Sequence, residues 1–298
     1  MPASDRRARA ADSLFRGSTE ASGEPAAQPF LKWAGGKWAI APQIVSLFPK
    51  DARQRVYREP FLGGGAMFFY LRPERAFLSD TLGDLINAYK TVQSSVEPLI
   101  KRLQALREAH SSESYYAIRE RFNREPKAPR LERAAWLIYL NKTCFNGLYR
   151  TSKRGLFNVP QGRFTNPTVV NPDKIRLAAA VLARAKLTCA PFDSLLDTAK
   201  PGDLVYLDPP YVPISKTSSF SSYSEGNFGH DAQVRLADVY RQLDSRGCKL
   251  ALSNSDTPSV RALYDGFDLQ PIIAPRVISA KASTRGPTAE LLIRNYDV

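Results

Sequence analysis

The residues best suited to chemistry in this chain lie at a short corner that follows an apolar segment. Residues 203–207 (DLVYL) run directly into Asp208-Pro209-Pro210-Tyr211. Consecutive prolines fix the backbone φ angles, so the acid and the ring can be held toward one cleft. The Asp208 carboxylate and the Pro209 carbonyl can each accept one N–H of an amino group on an aromatic ring. The corner therefore predicts a site that activates such an amine, whose lone pair is otherwise delocalised.

An amine held in this way can attack an electrophilic methyl group, such as the sulfonium methyl of S-adenosylmethionine (SAM). The Tyr211 ring can stack on a nucleobase, which must leave a duplex before its atoms can be reached. No strong base is required, because the proton becomes acidic once the methyl group has been transferred. We interpret 208–211 as catalytic, with an ordinary proline-rich loop as the alternative.

A glycine-rich turn is the second chemical signal. Glu59-Pro60-Phe61-Leu62-Gly63-Gly64-Gly65 lies between a predicted strand at 56–57 and a predicted helix at 66–71. Glycines allow a sharp turn and a close approach to a nucleotide-like ligand. Asp80 ends the next short strand, where a carboxylate typically binds ribose hydroxyls. Phe68 stands where the dinucleotide pattern GxGxxG needs its last glycine, so the pair predicts a SAM or dinucleotide site, or a plain turn.

The segment 30–37 (FLKWAGGK) combines an aromatic wall with lysines and two glycines. Its Gly-Gly-Lys suggests a phosphate loop, but the required spacing fails, because Trp38 follows and Leu31 stands where a glycine is needed. ATP binding is therefore not predicted. A lysine that pairs with the carboxylate of an amino-acid-like ligand, beside Trp33, is the functional interpretation, and a basic surface turn is the alternative.

A basic region in the middle of the chain predicts nucleic-acid binding. Residues 101–165 carry fourteen basic and five acidic side chains, so this stretch holds +9 of the net charge of +13. Within it, 141–150 (NKTCFNGLYR) and 158–164 (NVPQGRF) interleave aromatic residues with Arg, Asn and Gly. Arg can bind guanine, Asn can bind adenine, and an aromatic ring can enter the base stack. Phosphate contacts would use the positive surface, although a solvated basic loop has the same composition.

Strand and helix signals alternate along most of the chain. Predicted strands at 187–190, 203–207, 249–253 and 290–296 and a predicted helix at 231–243 favour a doubly wound, mostly parallel sheet. Predicted helices at 85–106, 114–122 and 131–140 interrupt this alternation and indicate an inserted module. Residues 1–28 are predicted to be a disordered leader, with order from about Pro29-Phe30. Residues 216–229 are interpreted as a mobile lid, with a plain surface loop as the alternative.

Composition excludes several classes of protein. The three cysteines (Cys144, Cys189 and Cys248) are far apart and only two histidines occur, so no metal site is expected. No apolar run approaches the ~20 residues of a membrane span, and the N-terminus lacks the apolar region of a secretory signal. We therefore expect a cytoplasmic protein without a membrane partner.

The whole series of motifs resembles one family, the Dam-type DNA adenine-N6 methyltransferases with a DPPY motif. FLKWAGGK, EPFLGGGA, LNKTCFNGLYR, GLFNVPQGRF, LDPPY and SNSDT appear in the family's order between about Phe30 and Tyr296. The glycine motif precedes the recognition region, which precedes DPPY, and this is the family's class α arrangement.

The resemblance implies a Rossmann-like SAM-dependent methyltransferase sheet with an inserted helical target-recognition domain. It implies site-specific methylation of adenine N6 in double-stranded DNA by base flipping, with GATC as the Dam-like target. The implied division is a leader (1–28), a catalytic domain (29–84 and 166–298) and a recognition domain (85–165). It also implies a monomer associated with the nucleoid through DNA, with a cognate restriction endonuclease as a partner to consider.

The resemblance and the glycine turn together assign the binding residues. The residues expected to bind SAM are Trp33, Lys37, Phe61, Gly63, Gly65, Asp80, Phe192, Asp193 and Asp208. The residues expected to contact DNA are Lys32, Phe145, Asn146, Arg150 and Arg163. Phe145 stands where the best-known members have a tyrosine that inserts into the duplex, and the changes at 143–145 leave the exact target open.

Three other functions compete with this interpretation. A catalytically silent DNA-binding protein would not need an intact Asp208 and glycine turn. Cytosine-N4 and glutamine methyltransferases usually have Ser or Asn in place of Asp208. A dinucleotide-dependent oxidoreductase has no use for DPPY beside a basic recognition region.

Overall fold

The computed structural model describes residues 26–211, 228–274 and 288–297, and a seven-stranded sheet forms the centre of this part of the chain. The strands follow the order β3-β2-β1-β4-β5-β7-β6. All neighbouring strands are parallel except that β7 is antiparallel to both β5 and β6. The strands are β1 (Val56–Glu59), β2 (Arg75–Asp80), β3 (Ala185–Cys189), β4 (Leu204–Leu207), β5 (Lys249–Ser255), β6 (Asp268–Ala274) and β7 (Thr288–Arg294).

The centre of the sheet is apolar because helices cover both of its faces. Every residue of β4 is buried, and so are six of the seven residues of β5. Parallel sheets of α/β proteins have such continuous apolar strands. The strands β2 and β4 lie on opposite sides of β1, so the chain changes direction across the sheet between them. Ligands of open α/β sheets bind at the carboxyl ends of the strands beside such a change.

Ten α-helices occur in the described residues. They are α1 (Ala41–Val45), α2 (Ala66–Leu71), α3 (Gly83–Ser94), α4 (Val96–Glu108), α5 (Ser112–Arg124), α6 (Arg130–Thr143), α7 (Pro172–Leu182), α8 (Leu195–Thr198), α9 (His230–Ser245) and α10 (Pro258–Leu263). The helix α6 is buried on nearly all sides, because α3, α4 and α5 pack around it. This explains why its sequence is apolar at consecutive positions and not only on one stripe.

The helix predicted over 85–106 is two helices in the structure. The break falls at Ser95, between α3 and α4, where the backbone has φ −141° and ψ 47°. Pro98 accounts for it, because proline lacks the N–H that a continuous helix would need and its ring clashes with the carbonyl four residues earlier. Pro98 is tolerated in the first turn of α4, where that N–H has no partner in the helix.

The remaining differences from the predicted elements are additions. The helices α1, α7, α8 and α10 and the strand β6 were not predicted from the sequence. Pro271 argues against a strand, yet β6 lies at the edge of the sheet, where one missing donor is tolerated. The predicted strand 290–296 is observed two residues earlier, as β7.

The chain is packed earlier than the predicted end of the leader. Ala26 and Ala27 are already buried, so residues 26–28 are not part of a disordered segment. Their side chains are too small to give a hydrophobic signal, which explains the late boundary. Residues 1–25, and residues 216–227 of the predicted lid, lie outside the described part of the chain.

The inserted helices share their hydrophobic core with the sheet. One continuous apolar cluster includes Tyr57 of β1, Leu78 of β2 and residues from each of the helices α3 to α7. The division into two domains at 84 and 165 therefore stays a prediction. Within the described ranges, no helix is long and apolar enough to cross a membrane.

Candidate active site and DNA interface

Four polar side chains meet at the carboxyl end of the central strand β4. The Lys37 ammonium lies 3.2 Å from Asp208 Oδ1 and 3.6 Å from Glu290 Oε2. The Tyr211 hydroxyl donates a hydrogen bond to Glu290 Oε2 at 3.0 Å, and Lys37 Nζ lies 4.4 Å from the centre of the Tyr211 ring. Lys37 is buried, whereas the Asp208 side chain is 20% exposed, so the carboxylate can be reached from the surface.

The surroundings of Asp208 shift its protonation. Burial raises the pKa of Asp208 to about 6, the Lys37 ammonium opposes this rise, and the charge of Glu290 adds to it. The carboxylate form therefore prevails at neutral pH, as an acceptor of N–H groups requires. Burial and the nearby carboxylates raise the pKa of Tyr211 well above its usual value, so its hydroxyl keeps the proton that it donates to Glu290.

The proline corner is held by side chains from β5 and α9. Gln233 Nε2 donates to the Pro210 carbonyl at 2.9 Å, and Gln233 Oε1 accepts from Asn254 Nδ2 at 3.1 Å. Asn254 Oδ1 in turn accepts the Ser255 backbone N–H at 2.8 Å. Gln233 and Asn254 are fully buried, so this chain of hydrogen bonds fixes the direction of the corner. The sequence indicated no role for either residue, although Asn254 lies in the SNSDT motif.

The glycine turn is tied to Asp80 and covered by Trp33. Asp80 accepts the backbone N–H of Gly63 and that of Leu82, each at 3.0 Å. Gly63 and Gly65 have positive φ angles of 46° and 67°. A Cβ atom at Gly63 would lie 2.7 Å from the Trp33 ring, so the close approach of the indole requires glycine there.

An aromatic group lies beside the glycine turn. Phe61, which follows β1, stacks on Phe192 with ring centres 5.5 Å apart, and Phe228 contacts both rings edge-on. Asp193 lies next to Phe192 and forms an exposed ion pair with Arg235 at 3.8 Å. The predicted SAM residues Phe61, Phe192 and Asp193 are thus close together.

Glu59 is a buried acid for which the sequence indicated no role. It ends β1, and Tyr57 donates a hydrogen bond to its Oε2 atom at 2.9 Å. Burial raises the pKa of Glu59 to about 8, so the side chain is mostly neutral at pH 7. A neutral carboxyl beneath Asp208 limits the repulsion between the two acids.

The predicted DNA-binding turn is fixed to two other segments. The Phe145 N–H donates to the Pro160 carbonyl at 2.9 Å. The Asn141 side chain binds both the N–H and the carbonyl of Lys32, at 2.9 and 2.7 Å. Gly147 lies against Lys32, where a Cβ atom would come within 2.5 Å of the lysine side chain. The segment that carries Trp33 and Lys37 is therefore joined directly to the recognition region.

A short hairpin extends from this turn, and we call residues 150–158 the basic hairpin. Thr151 pairs with Phe157, and the Ser152 N–H donates to the Leu156 carbonyl at 2.8 Å. Arg150 Nε donates to Asn158 Oδ1 at 2.8 Å. The side chains of 153–156 at its tip are exposed.

The helix α5 supports the basic hairpin and the residue that follows it with three side chains spaced four residues apart. The Tyr115 hydroxyl and the Arg119 guanidinium both donate to the Val159 carbonyl, at 2.8 and 3.2 Å. Asn123 donates to the Phe157 carbonyl at 3.0 Å and accepts the Phe157 N–H at 2.8 Å. Side chains with this spacing lie on one face of a helix, which explains why all three reach the same short segment, 157–159.

The five predicted DNA-binding residues lie in adjoining segments. Phe145 is 49% exposed, Asn146 adopts a left-handed backbone conformation with φ 56°, and Arg150 and Arg163 are exposed. Lys32 is half-buried, and its ammonium lies 4.8 Å from the centre of the Phe164 ring. Trp33 stacks on Tyr149 with ring centres 6.0 Å apart, which connects the wall of the glycine turn to the segment before Arg150.

A family model identifies the chain. Residues 33–278 match the model described as D12 class N6 adenine-specific DNA methyltransferase. The chain belongs to this family. Its members transfer a methyl group to adenine N6 in DNA, so this D12-class chain is an enzyme, and membership implies SAM as the methyl donor and DNA as the substrate. The family and the Rossmann-like α/β methyltransferase fold expected from the sequence are thereby confirmed.

Named relatives agree with this assignment over nearly their whole length. The type II methyltransferase M.MjaIII of Methanocaldococcus jannaschii is 42% identical over 286 residues, covering 90% of this chain and 99% of the relative. The type II methyltransferase M1.LlaDCHI of Lactococcus lactis subsp. cremoris is 40% identical, covering 90% and 95%. A DNA adenine methylase of Vibrio cholerae is 36% identical, covering 88% and 94%.

Proposed function

We propose that this D12-class methyltransferase modifies adenine N6 at a specific site in duplex DNA, with Asp208-Pro209-Pro210-Tyr211 as its catalytic corner. The main support is the position of Asp208, partly exposed at the carboxyl end of β4 and held between Lys37 and the braced prolines. A base that has left the duplex would reach this carboxylate from the cleft.

The catalytic corner acts on the amine by accepting its two N–H groups. Asp208 accepts one, and the Pro209 carbonyl accepts the other, so that the nitrogen lone pair points away from the ring plane. When bound, SAM supplies an electrophilic methyl group on a positively charged sulfur. In the transfer the nitrogen lone pair would form the N–C bond while the C–S electron pair stays on sulfur, and Asp208 or solvent would take the proton that leaves the nitrogen. Tyr211 stacks on the base and holds it during this step.

The residues around the glycine turn fit SAM. A carboxylate has about four lone-pair directions, so Asp80 can bind ribose hydroxyls in addition to its backbone partners. The Phe61 and Phe192 rings offer an apolar wall for the adenine of SAM. The residues that we propose to hold SAM are Trp33, Lys37, Phe61, Gly63, Gly65, Asp80, Phe192, Asp193 and Asp208.

The basic hairpin and the neighbouring turn form the proposed contact with DNA. Exposed Phe145 is suited to stack in the duplex when the target base leaves it, and Asn146 and Arg150 are suited to bind base edges. Lys32 and Arg163 would contact bases or phosphates beside them. The proposed target is GATC, because Arg150 follows Leu148-Tyr149 as in Dam-type enzymes.

One experiment tests substrate, atom and target together. The protein is incubated with SAM and unmethylated genomic DNA, and the product is sequenced by a method that detects N6-methyladenine in context. We expect N6-methyladenine at GATC. Methylation of another sequence would refute the proposed target alone, whereas methylated cytosine or no modified base would refute the proposed function.

The biological setting is also a proposal. Two relatives are named type II methyltransferases, which favours a role beside a cognate restriction endonuclease. We propose a monomer in the cytoplasm, associated with the nucleoid through DNA. Light scattering should give a mass near 33.2 kDa without DNA, and about twice that mass would contradict a monomer.

A further inference from the structure

The strand β7 brings a glutamate into the active site that no motif indicated. Glu290 lies opposite Ser255 of β5, which follows the bracing residue Asn254. Because β7 is antiparallel to β5, the first residues of β7 lie beside the carboxyl ends of β4 and β5. The Glu290 side chain therefore faces the catalytic corner, although it follows Tyr211 by 79 positions.

Glu290 contacts two groups that belong to different segments of the site. Its Oε2 atom accepts the Tyr211 hydroxyl at 3.0 Å and lies 3.6 Å from the Lys37 ammonium. The same ammonium lies 3.2 Å from Asp208 and donates to the Gly35 carbonyl at 3.1 Å. The lysine is thus shared between two carboxylates, and the tyrosine ring is restrained at its far end.

We propose that Glu290 is a positioning residue for methyl transfer, which holds the Tyr211 ring in place and draws the Lys37 ammonium partly away from Asp208. This inference rests on the proposed roles of Asp208 and Tyr211. Restraint of the hydroxyl keeps the ring in one orientation for stacking. Sharing of the ammonium leaves the Asp208 carboxylate available to the amine of the target base.

Lys37, Asp208, Tyr211 and Glu290 form the catalytic cluster, and its charges support this role for Glu290. Two carboxylates and one ammonium give the cluster a net charge of −1, and positive charge develops on the amine nitrogen as it gains the methyl group. A fixed negative charge near the amine stabilises this developing positive charge. Without the charge of Glu290 the cluster is neutral, and Lys37 has Asp208 as its remaining carboxylate partner in the cluster.

The pH dependence of the rate separates this role from a purely structural one. The titratable groups that act on Asp208 or respond to its charge are Lys37, Tyr57, Glu59, Tyr206, Tyr211 and Glu290. The charge of Glu290 raises the pKa of Asp208, and the charge of Lys37 lowers it. Neutralising Glu290 should therefore move the acid limb of the rate profile to lower pH.

The test compares Glu290→Gln and Glu290→Ala with the matched control Glu74→Gln. Glu74 is exposed and lies just before β2, at the amino ends of the parallel strands and away from the cluster. Glutamine can still accept the Tyr211 hydroxyl but lacks the charge. We expect kcat to fall about 10-fold in Glu290→Gln and about 100-fold in Glu290→Ala, as for a lost buried hydrogen bond and charge. The KM for DNA should stay unchanged in both Glu290 variants. The Glu74→Gln control should keep the wild-type kcat.

A double-mutant cycle shows whether Glu290 acts through the tyrosine. Tyr211→Phe removes the hydroxyl and keeps the ring, so Glu290→Ala should cost less in that background than in the wild type. Additive losses, or an acid limb that does not move in Glu290→Gln, would overturn the proposal. So would a wild-type kcat in Glu290→Ala. Failure of the wild-type protein to methylate adenine would instead refute the proposed function.

Discussion

The catalytic cluster and the basic hairpin are positioned by opposite means. In the cluster, Lys37, Asp208, Tyr211 and Glu290 come from separate segments and hold one another by charge and hydrogen bonds between side chains. In the hairpin, the basic side chains are exposed, and α5 fixes the backbone beneath them. The first region is a fixed arrangement of side-chain atoms, whereas the second is a fixed backbone that carries exposed side chains, of which Arg150 is hydrogen-bonded to Asn158.

The difference follows from the work proposed for each region, which is catalysis for the cluster and contact with DNA for the hairpin. Charges act more strongly on a reacting atom when water is excluded, so the catalytic groups are best buried and mutually restrained. Contacts with DNA replace water and counterions around basic side chains, which must therefore stay exposed until DNA arrives. Changes in the cluster should act on the rate, and changes in the hairpin on the choice of sequence.

The largest effect is expected for Asp208→Ala. Loss of the acceptor carboxylate should lower kcat by about 10³-fold, comparable to removing a preorganised group that stabilises a transition state. Binding to DNA should largely survive, because the basic hairpin is unchanged. Single-turnover rates and a binding titration measure the two separately, and a variant that keeps its activity would contradict the role of Asp208.

Arg150→Ala should cause a large loss of sequence discrimination and leave the rate of methylation nearly unchanged. We expect discrimination at one base position to weaken by about 1–3 kcal/mol, with kcat on the preferred site nearly unchanged. Competition among oligonucleotides that differ at single positions measures this. Arg184→Ala, at an exposed position just before β3 and outside the basic hairpin, serves as the control. Equal weakening on all sequences would make Arg150 a phosphate contact.

The rate should also depend on pH through Asp208. Its carboxylate form is the active one, so kcat should rise with pH up to a pKa of about 6 and level off above it. One unit below that pKa, about a tenth of the full rate should remain. Lys37 lowers this pKa, so Lys37→Met should move the acid limb to higher pH, opposite to Glu290→Gln. Profiles of kcat between pH 5 and pH 8 check both directions. If the acid limb moved in the same direction in both variants, the opposite effects proposed for Lys37 and Glu290 on the pKa of Asp208 would be contradicted.

The smallest effect is expected for Asn123→Ala, which removes the two hydrogen bonds to the Phe157 backbone. We expect discrimination to fall by about 1 kcal/mol, with faster hydrogen exchange in the basic hairpin and an unchanged single-turnover rate. Glu120→Ala, at an exposed position that pairs with Arg124 on the same helix, is the control. A loss of rate without a loss of discrimination would contradict the separation of the two regions.

The amino-acid sequence alone determined the family and the Rossmann-like sheet, and it indicated the segments proposed to form the site. These depend on local features: an apolar strand before two prolines, a glycine turn before a helix, and a run of basic and aromatic residues. Each feature restricts the backbone or the chemistry within a few residues. Their order along the chain was sufficient to predict the family that the comparison with known proteins confirmed.

Only the tertiary structure decided which side chains complete the site. Glu290 contacts Tyr211 across 79 positions, Asn141 holds Lys32 across 109, and Asn123 holds Phe157 across 34. No periodicity or spacing links residues so far apart, because such contacts depend on strand order and on the antiparallel direction of β7. The break at Ser95 and the early packing of Ala26 were missed for a related reason, since a proline in a first turn and a buried alanine leave weak signals.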